Sequence, residues 1–254
     1  MDLRVTGAGP AGPFLGARDL FETAHDLELP VRVRIRENPD ERTWAGHFED
    51  HHVLNISQQA ATSAMARELA LHEFAHMRRH EQSHPSHVLS MDEVLYLALT
   101  GRRVERRVLT HCYQIANHVK DIYADDITLA VGPTHKLVSF LESELAAALA
   151  DQPVAGARSG HRLTAGADPT MTAVNAAFAV ALLERHDAIP DDHRIYDLAY
   201  AAGEDAPEID LETFRDLFAS LAADPDESEC RRGLVDTIRT YVDAQETTSG
   251  PAAD

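Results

Sequence analysis

Apolar and polar positions fall first into a short alternation of period two and then, for most of the chain, into helical spacing. Val31, Val33 and Ile35 alternate with Arg32, Arg34 and Arg36 up to Glu37, the period of a half-exposed strand. The group Asn38, Pro39 and Asp40 turns the chain, a second short strand is expected around Thr43 to His47, and His52 to Ser57 reads as a third. A helix near Phe14 to His25 precedes them. From Gln58 to Glu81 there is no Gly or Pro, and Ala, Leu, Met and Arg dominate, which predicts one long helix capped by Ser57 or Asn55. Further on, a short helix near Met91 to Thr100 leads to a long one over Arg103 to Ala124, whose Val108, Cys112, Ile115, Val119 and Ile122 make a buried stripe. Ile127 to Val131 is expected as a short strand, Gly132 and Pro133 as a turn, and Thr134 to Ala150 as a helix.

Asp168 and Pro169 form a clean helix start, with aspartate as N-cap and proline at the first helical position, and apolar residues then run to Leu183. Helices are expected near Arg194 to Ala202, Leu211 to Ala222 and Glu227 to Gln245. The fold class is therefore α+β, mainly α. Residues 1–150 hold the small sheet and the long helices. Residues 151–168, rich in Gly, Ala and polar side chains and including an isolated His161, read as a linker or surface loop. Residues 169–254 form a helical subdomain whose tail, 247–254, is expected to be disordered.

Charge changes this picture. The 254 residues carry 42 acidic against 23 basic side chains, a formal charge of −19, and Lys120 and Lys136 are the only lysines. Such a composition suits a protein kept soluble in concentrated salt, as in a halophile's cytoplasm, where a Debye length of about 3 Å screens self-repulsion. It argues against nucleic acid as a partner, since no polybasic run stands ready to displace phosphate counterions. The pairs Arg78-Arg79, Arg102-Arg103 and Arg106-Arg107 lie among acids on helical stretches and read as solvated, salt-bridging faces. Cys112 and Cys230 belong to no CxxC pair and fit a reducing compartment without disulfides. No basic, then apolar N-terminal leader is visible, and the most apolar run, Ala173 to Leu183, is too short to span a bilayer. A cytoplasmic protein without a membrane partner is expected.

Two stretches carry candidate chemistry. Residues 7–12 read Gly-Ala-Gly-Pro-Ala-Gly, the form of a dinucleotide-binding fingerprint, with Glu37 at the end of the next strand. The run before it has barely four strand residues, Pro13 follows at once, and no further strand and helix alternation is visible. A Gly/Pro-rich loop is the preferred reading, with no cofactor bound there. The other stretch is His72-Glu73-Phe74-Ala75-His76, an HExxH motif. Four residues apart on a helix, His72 and His76 project from one face and can share a metal ion, while Glu73 can act as general base without being a ligand.

Catalytic zinc needs three protein ligands. A metzincin would place Gly and His where this chain has Arg79 and Gln82, so that class is excluded. His80, His84 and His87 read as solvated residues or as outer partners of the ligands. On the helix after the motif, His111, Gln114, His118, Asp121 and Asp125 line up beside the apolar stripe. Asp121 and Asp125 lie one turn apart, so one can bind metal while the other orients a ligand histidine.

A helix, a small sheet running straight into a long helix, and HExxH inside that helix together resemble the upper half of zincin metallopeptidases, over roughly Phe14 to Asp125. Uncharged Phe74 and Ala75 inside the motif and Ala70 before it fit that family; Arg78 departs from it, since an apolar residue is usual there. Asn117 to Asp125 resembles the second motif of gluzincin-like predicted metallopeptidases, in which an acidic ligand is flanked by polar residues one turn before and one turn after. The resemblance implies a zincin-like half, zinc as cofactor, Asp121 as third ligand in place of the commoner glutamate, and Asp125 as its orienting partner, with Asn117 one turn before. Asp125 and His118 are the alternative ligands.

The expected function is a zinc-dependent hydrolase acting on peptide bonds of a peptide or protein substrate, with Glu73 as base and His111 or His118 near the oxyanion. The substrate is expected along His52 to Ile56, read as an edge strand. The alternative is a non-catalytic regulatory or interaction protein that retains the zincin-like fold. Oligomeric state is left open. The charge predicts that the chain stays folded in molar salt and unfolds on dialysis into dilute buffer, as read by circular dichroism; full stability without salt contradicts the halophilic reading.

Overall fold

The computed structural model describes residues 1–39, 41–151 and 168–249, the last three as backbone. Asp40, the loop residues 152–167 with His161, and the tail from 250 onward lie outside the described residues. The fold is α+β and mainly α. It packs as two compact units, Met1–Val88 with Lys120–Lys136, and Leu89–Val119 with Leu137–Asp254. One long helix is thus divided between them, and neither cut falls in the loop around residues 151–168. Among the described residues no helix is long and apolar enough to cross a membrane.

The first unit contains β1 (Leu3–Thr6), α1 (Gly12–Phe21), β2 (Val31–Arg36), β3 (Trp44–His47), β4 (His52–Ser57), α2 (Gln58–Ala61), α3 (Ala66–Glu81) and α4 (Pro85–Val88). The C-terminal part of α6 (Arg106–Val131) completes it. The sheet order is β1-β2-β4-β3; β1, β2 and β4 are parallel and β3 is an antiparallel edge. Val31, Val33 and Ile35 share a face with Leu54 and Ile56, and α1 and α3 cover it with Phe14, Phe21, Leu71, Phe74 and Met77. Phe21 and Phe74 meet edge to face at 6.1 Å, and each such ring, fully buried, contributes about 2–3 kcal/mol. From α6, Ala124 and Ile127 join the same core.

Four expectations are corrected here. Leu3–Thr6 is a strand, not part of a loop, and pairs in parallel with β2. Gly7 and Gly9 after it serve close packing: Gly7 has φ of +104°, and a Cβ on it would lie 2.2 Å from the Ile35 carbonyl oxygen, while one on Gly9 would lie 2.7 Å from Ile35 Cδ1. His52–Ser57 is not an edge but lies between β2 and β3, buried at every position, so the open edge belongs to Trp44–His47. The helix expected over Gln58 to Glu81 is broken at residues 62–65, where Thr62 and Ser63 hydroxyls donate back to the Gln58 and Ala60 carbonyls. Ser57 does cap α2, accepting from the Ala60 amide. Ile127 to Val131 is not a strand but the end of α6.

The second unit holds α5 (Met91–Leu99), the start of α6, α7 (Thr134–Ala150), α8 (Pro169–Arg185), α9 (Ile195–Asp205), α10 (Leu211–Ala219) and α11 (Glu227–Ser249). Its central element is α8, apolar nearly all round and buried along most of its length. Asp168 caps it as the sequence predicts, accepting from the Thr170 and Met171 amides, and also pairs with Arg107 at 2.7 Å. His111 lies in this polar knot, its Nδ1 2.5 Å from the Tyr241 hydroxyl and its Nε2 3.7 Å from Asp168.

In the first unit a second polar knot ties the sheet to α3. Glu81 accepts from the amides of Glu28 and Leu29 at 3.0 and 2.9 Å and from His52 Nε2 at 3.1 Å. With that proton on Nε2, His52 Nδ1 accepts from His47 Nδ1 at 3.1 Å, and His47 stacks on His80 with centroids 4.0 Å apart. Both histidines must be neutral to bond in this way. Burial, then the neighbouring imidazoles, pushes the His47 pKa down to about 3; burial also lowers that of His52, against the pull of Glu81. An unfolded histidine takes up its proton near pH 6.5, so the unfolded state gains protons first as pH falls, and stability drops between pH 6.5 and about 3. Urea titrations across that range should show the loss, and replacing His47 and His52 together by Gln should reduce it. Glu81→Ala, which strands three donors, should cost about 3 kcal/mol at neutral pH by the same measurement.

Candidate metal centre

Residues 66–81 make a helix because they are Ala, Leu, Glu, Met and Arg in the main, free of Gly and Pro. Its apolar side, Ala70, Leu71, Phe74, Ala75 and Met77, lies on the sheet and on α6. His72 and His76 are then left half-buried on the flank towards Asp121, with Glu73 buried beside them. Arg79 fixes α6 against α3 by donating from Nε to the Tyr123 carbonyl at 2.8 Å.

The atoms His72 Nε2, His76 Nε2 and Asp121 Oδ1 converge. The two nitrogens are 3.0 Å apart, and Asp121 Oδ1 lies 3.7 Å from His72 Nε2 and 3.3 Å from His76 Nε2. Ligands about 2.0–2.2 Å from one tetrahedral zinc are separated by about 3.3–3.6 Å, and the three separations, 3.0 to 3.7 Å, bracket that range. These donors form the one group of three or more potential ligands among the described residues. Three protein donors are one fewer than the closed set of four of a structural zinc site.

The outer ring nitrogens are also accounted for. His72 Nδ1 donates to Asp125 Oδ1 at 2.8 Å. His76 Nδ1 meets His87 Nε2 at 2.8 Å, His87 Nδ1 meets Ser86 Oγ at 2.8 Å, and Ser86 Oγ meets His84 Nδ1 at 2.8 Å. The proton positions along this row follow from its far end. The Ser86 backbone amide donates to His84 Nδ1 at 3.3 Å, so that nitrogen is an acceptor and the Ser86 hydroxyl must donate to it. Ser86 Oγ therefore accepts from His87 Nδ1–H. Burial, then His76, holds the His87 pKa far below the usual histidine value; the ring is neutral, and its Nε2 accepts from His76 Nδ1–H. His76 is thereby left with its Nε2 lone pair towards the metal position.

Electrostatics match this arrangement. Burial pulls His72 towards neutrality, but Asp125 and Asp121 outweigh it and hold its pKa well above the ordinary value, the mark of a place built for positive charge. Burial raises the pKa of Glu73, against the pull of His72 and His76, and its carboxylate accepts the Ala45 amide of edge strand β3.

The other expected site residues lie elsewhere. In the second unit, His118 Nε2 bonds to Asn175 Oδ1 at 2.8 Å and its ring stacks on Phe178 at 4.3 Å. Asn117 is exposed. His111 has both ring nitrogens facing Tyr241 and Asp168. Two participants were not singled out from the sequence: Ala45 acts through its backbone, which leaves no residue-type signal, and Ser86 is an ordinary serine beside Pro85. Of the three clustered histidines read as solvated or as outer partners, His87 is the one that meets His76.

No curated protein and no solved structure matches the chain. A family profile, described as a family of unknown function (DUF5781), matches residues 1–243. The chain, matched over nearly all its length, belongs to the DUF5781 family.

Proposed function

We propose that this centre binds one zinc ion and hydrolyses peptide bonds. The observation that carries the reading is the convergence of His72 Nε2, His76 Nε2 and Asp121 Oδ1 within ligand spacing, beside a carboxylate, Glu73, that is not part of the set. Zinc held there would polarise the scissile carbonyl and lower the pKa of a coordinated water to about 7.

The chain's own groups supply the rest. Glu73, buried and steadied by the Ala45 amide, takes the proton of the attacking water and passes it to the leaving nitrogen. Asp125 and the row from His87 to His84 keep the two imidazoles turned so that Nε2, not Nδ1, faces the reaction. The open edge of β3, one hydrogen bond from Glu73, is where an extended peptide can add as a further strand. The oxyanion role expected of His111 draws no support, because its ring is already engaged.

Metal analysis of protein purified without a histidine tag should give about one zinc per chain, and His72→Ala or Asp121→Ala should lose it, while His118→Ala keeps it. Asp125→Asn and Ser86→Ala should each weaken zinc affinity about 10–100-fold in chelator competition. Glu73→Gln should retain zinc yet lower hydrolysis of an unstructured protein such as casein by at least about 100-fold. A well-folded protein that takes up no zinc would favour the non-catalytic reading instead.

A further inference from the structure

The sheet face turned away from α1 and α3 carries charge opposite to that of the chain. Register places Arg4 beside Arg32 and Thr6 beside Arg34, and these rows run on to Val53 and Gly46 and to Asn55 and Trp44. Arg36 follows beside Ser57. All four arginines are exposed, and those of β2 repeat every 6.7 Å or so along the strand. Among the described residues Arg4 and Arg32 pair only with exposed Asp2 and Asp50, each at 4.0 Å. Arg34 and Arg36 have no ion pair among the described residues, in a chain with 42 acids to 23 bases.

Two further features belong to this face. Trp44 and Phe48, 44% and 51% exposed, lie on either side of Gly46.

Arginine and tryptophan are the residues most often found at the centre of protein interfaces, and the guanidinium fork matches a carboxylate bidentately. The rim carries acids, Asp2, Asp50 and Glu41, the last 3.5 Å from Trp44 Nε1. These repel a phosphodiester chain, which is charged at every unit, whereas a peptide can place carboxylates only where arginines await them. We infer that this face docks an acidic segment of a partner protein, with carboxylates on Arg32, Arg34 and Arg36 and an apolar side chain against Trp44. The surface stands independently of the zinc centre and holds whether or not that centre is catalytic.

Trp44 is the only tryptophan, so its emission reports occupancy directly. The full-length protein carrying Glu73→Gln, which spares the probe from cleavage, is titrated with a short peptide of alternating glutamate and valine at the lowest salt at which it stays folded. A saturable change in emission is expected. It should be at least about tenfold weaker in affinity when Arg34→Ala and Arg36→Ala are added, with the circular dichroism unchanged, and absent for the same peptide with glutamine in place of glutamate. No saturable change, an equal response to the glutamine peptide, equal affinity in the arginine variant, or tighter binding of oligodeoxythymidylate would each overturn the inference.

Discussion

Three electron-rich atoms brought within 3.0 to 3.7 Å of one another are unstable company unless something positive lies between them. That is the constraint on which the first unit turns. With the Nδ1 protons of His72 and His76 committed to Asp125 and His87, both Nε2 lone pairs face each other and the Asp121 carboxylate. A proton on His72 relieves part of this repulsion, which is why Asp125 and Asp121 hold its pKa up against burial. A divalent cation relieves all of it. Donor chemistry thus favours a metal ion on grounds separate from the motif.

Holding that arrangement is a task for the scaffold. Helix α3 is fixed on both flanks: Glu81 anchors it to the chain before β2 and to His52 of β4, and Arg79 anchors it to the backbone of α6. The α6 anchor brings the acids to the histidines. The β4 anchor holds the sheet in place, so that β3 presents the Ala45 amide to Glu73. Glu73, the two imidazoles and the β3 edge are thereby set by hydrogen bonds, several of them to backbone groups, which leave little freedom to adjust.

What could be read from the sequence followed local chemistry. HExxH fixed a shared helical face because four residues is nearly one turn, the alternation from Val31 to Arg36 marked β2, and Asp168 with Pro169 marked the start of α8. Features that depend on distant partners escaped. β1 has only four residues, and its strand state comes from pairing with β2, more than twenty positions away. The exchange of inner and edge strands between His52–Ser57 and Trp44–His47 is a matter of sheet order, which local patterns do not encode. Ile127 to Val131, β-branched enough to suggest a strand, stays helical because Ile127 and Val131 pack into the core shared by α3 and the sheet. Residues 62–65 contain neither Gly nor Pro, so the break there rests on Thr and Ser hydroxyls competing for helix carbonyls.

Aspartate at position 121, the third of the proposed ligands, bears on how closely the helices meet. A glutamate ligand reaches its metal across a wider gap, whereas the shorter Asp121 requires α6 to run near α3. Small residues permit this: Ala75 on α3 and Ala124 on α6 are fully buried in one core. At the end of α6, Gly132 lies so close to Leu71 that a Cβ there would be 2.9 Å from its Cδ2. Small residues along this seam and a short carboxylate at the metal position are therefore one choice, not two. Lengthening Asp121 to glutamate without opening the seam would drive its oxygen past the two imidazoles.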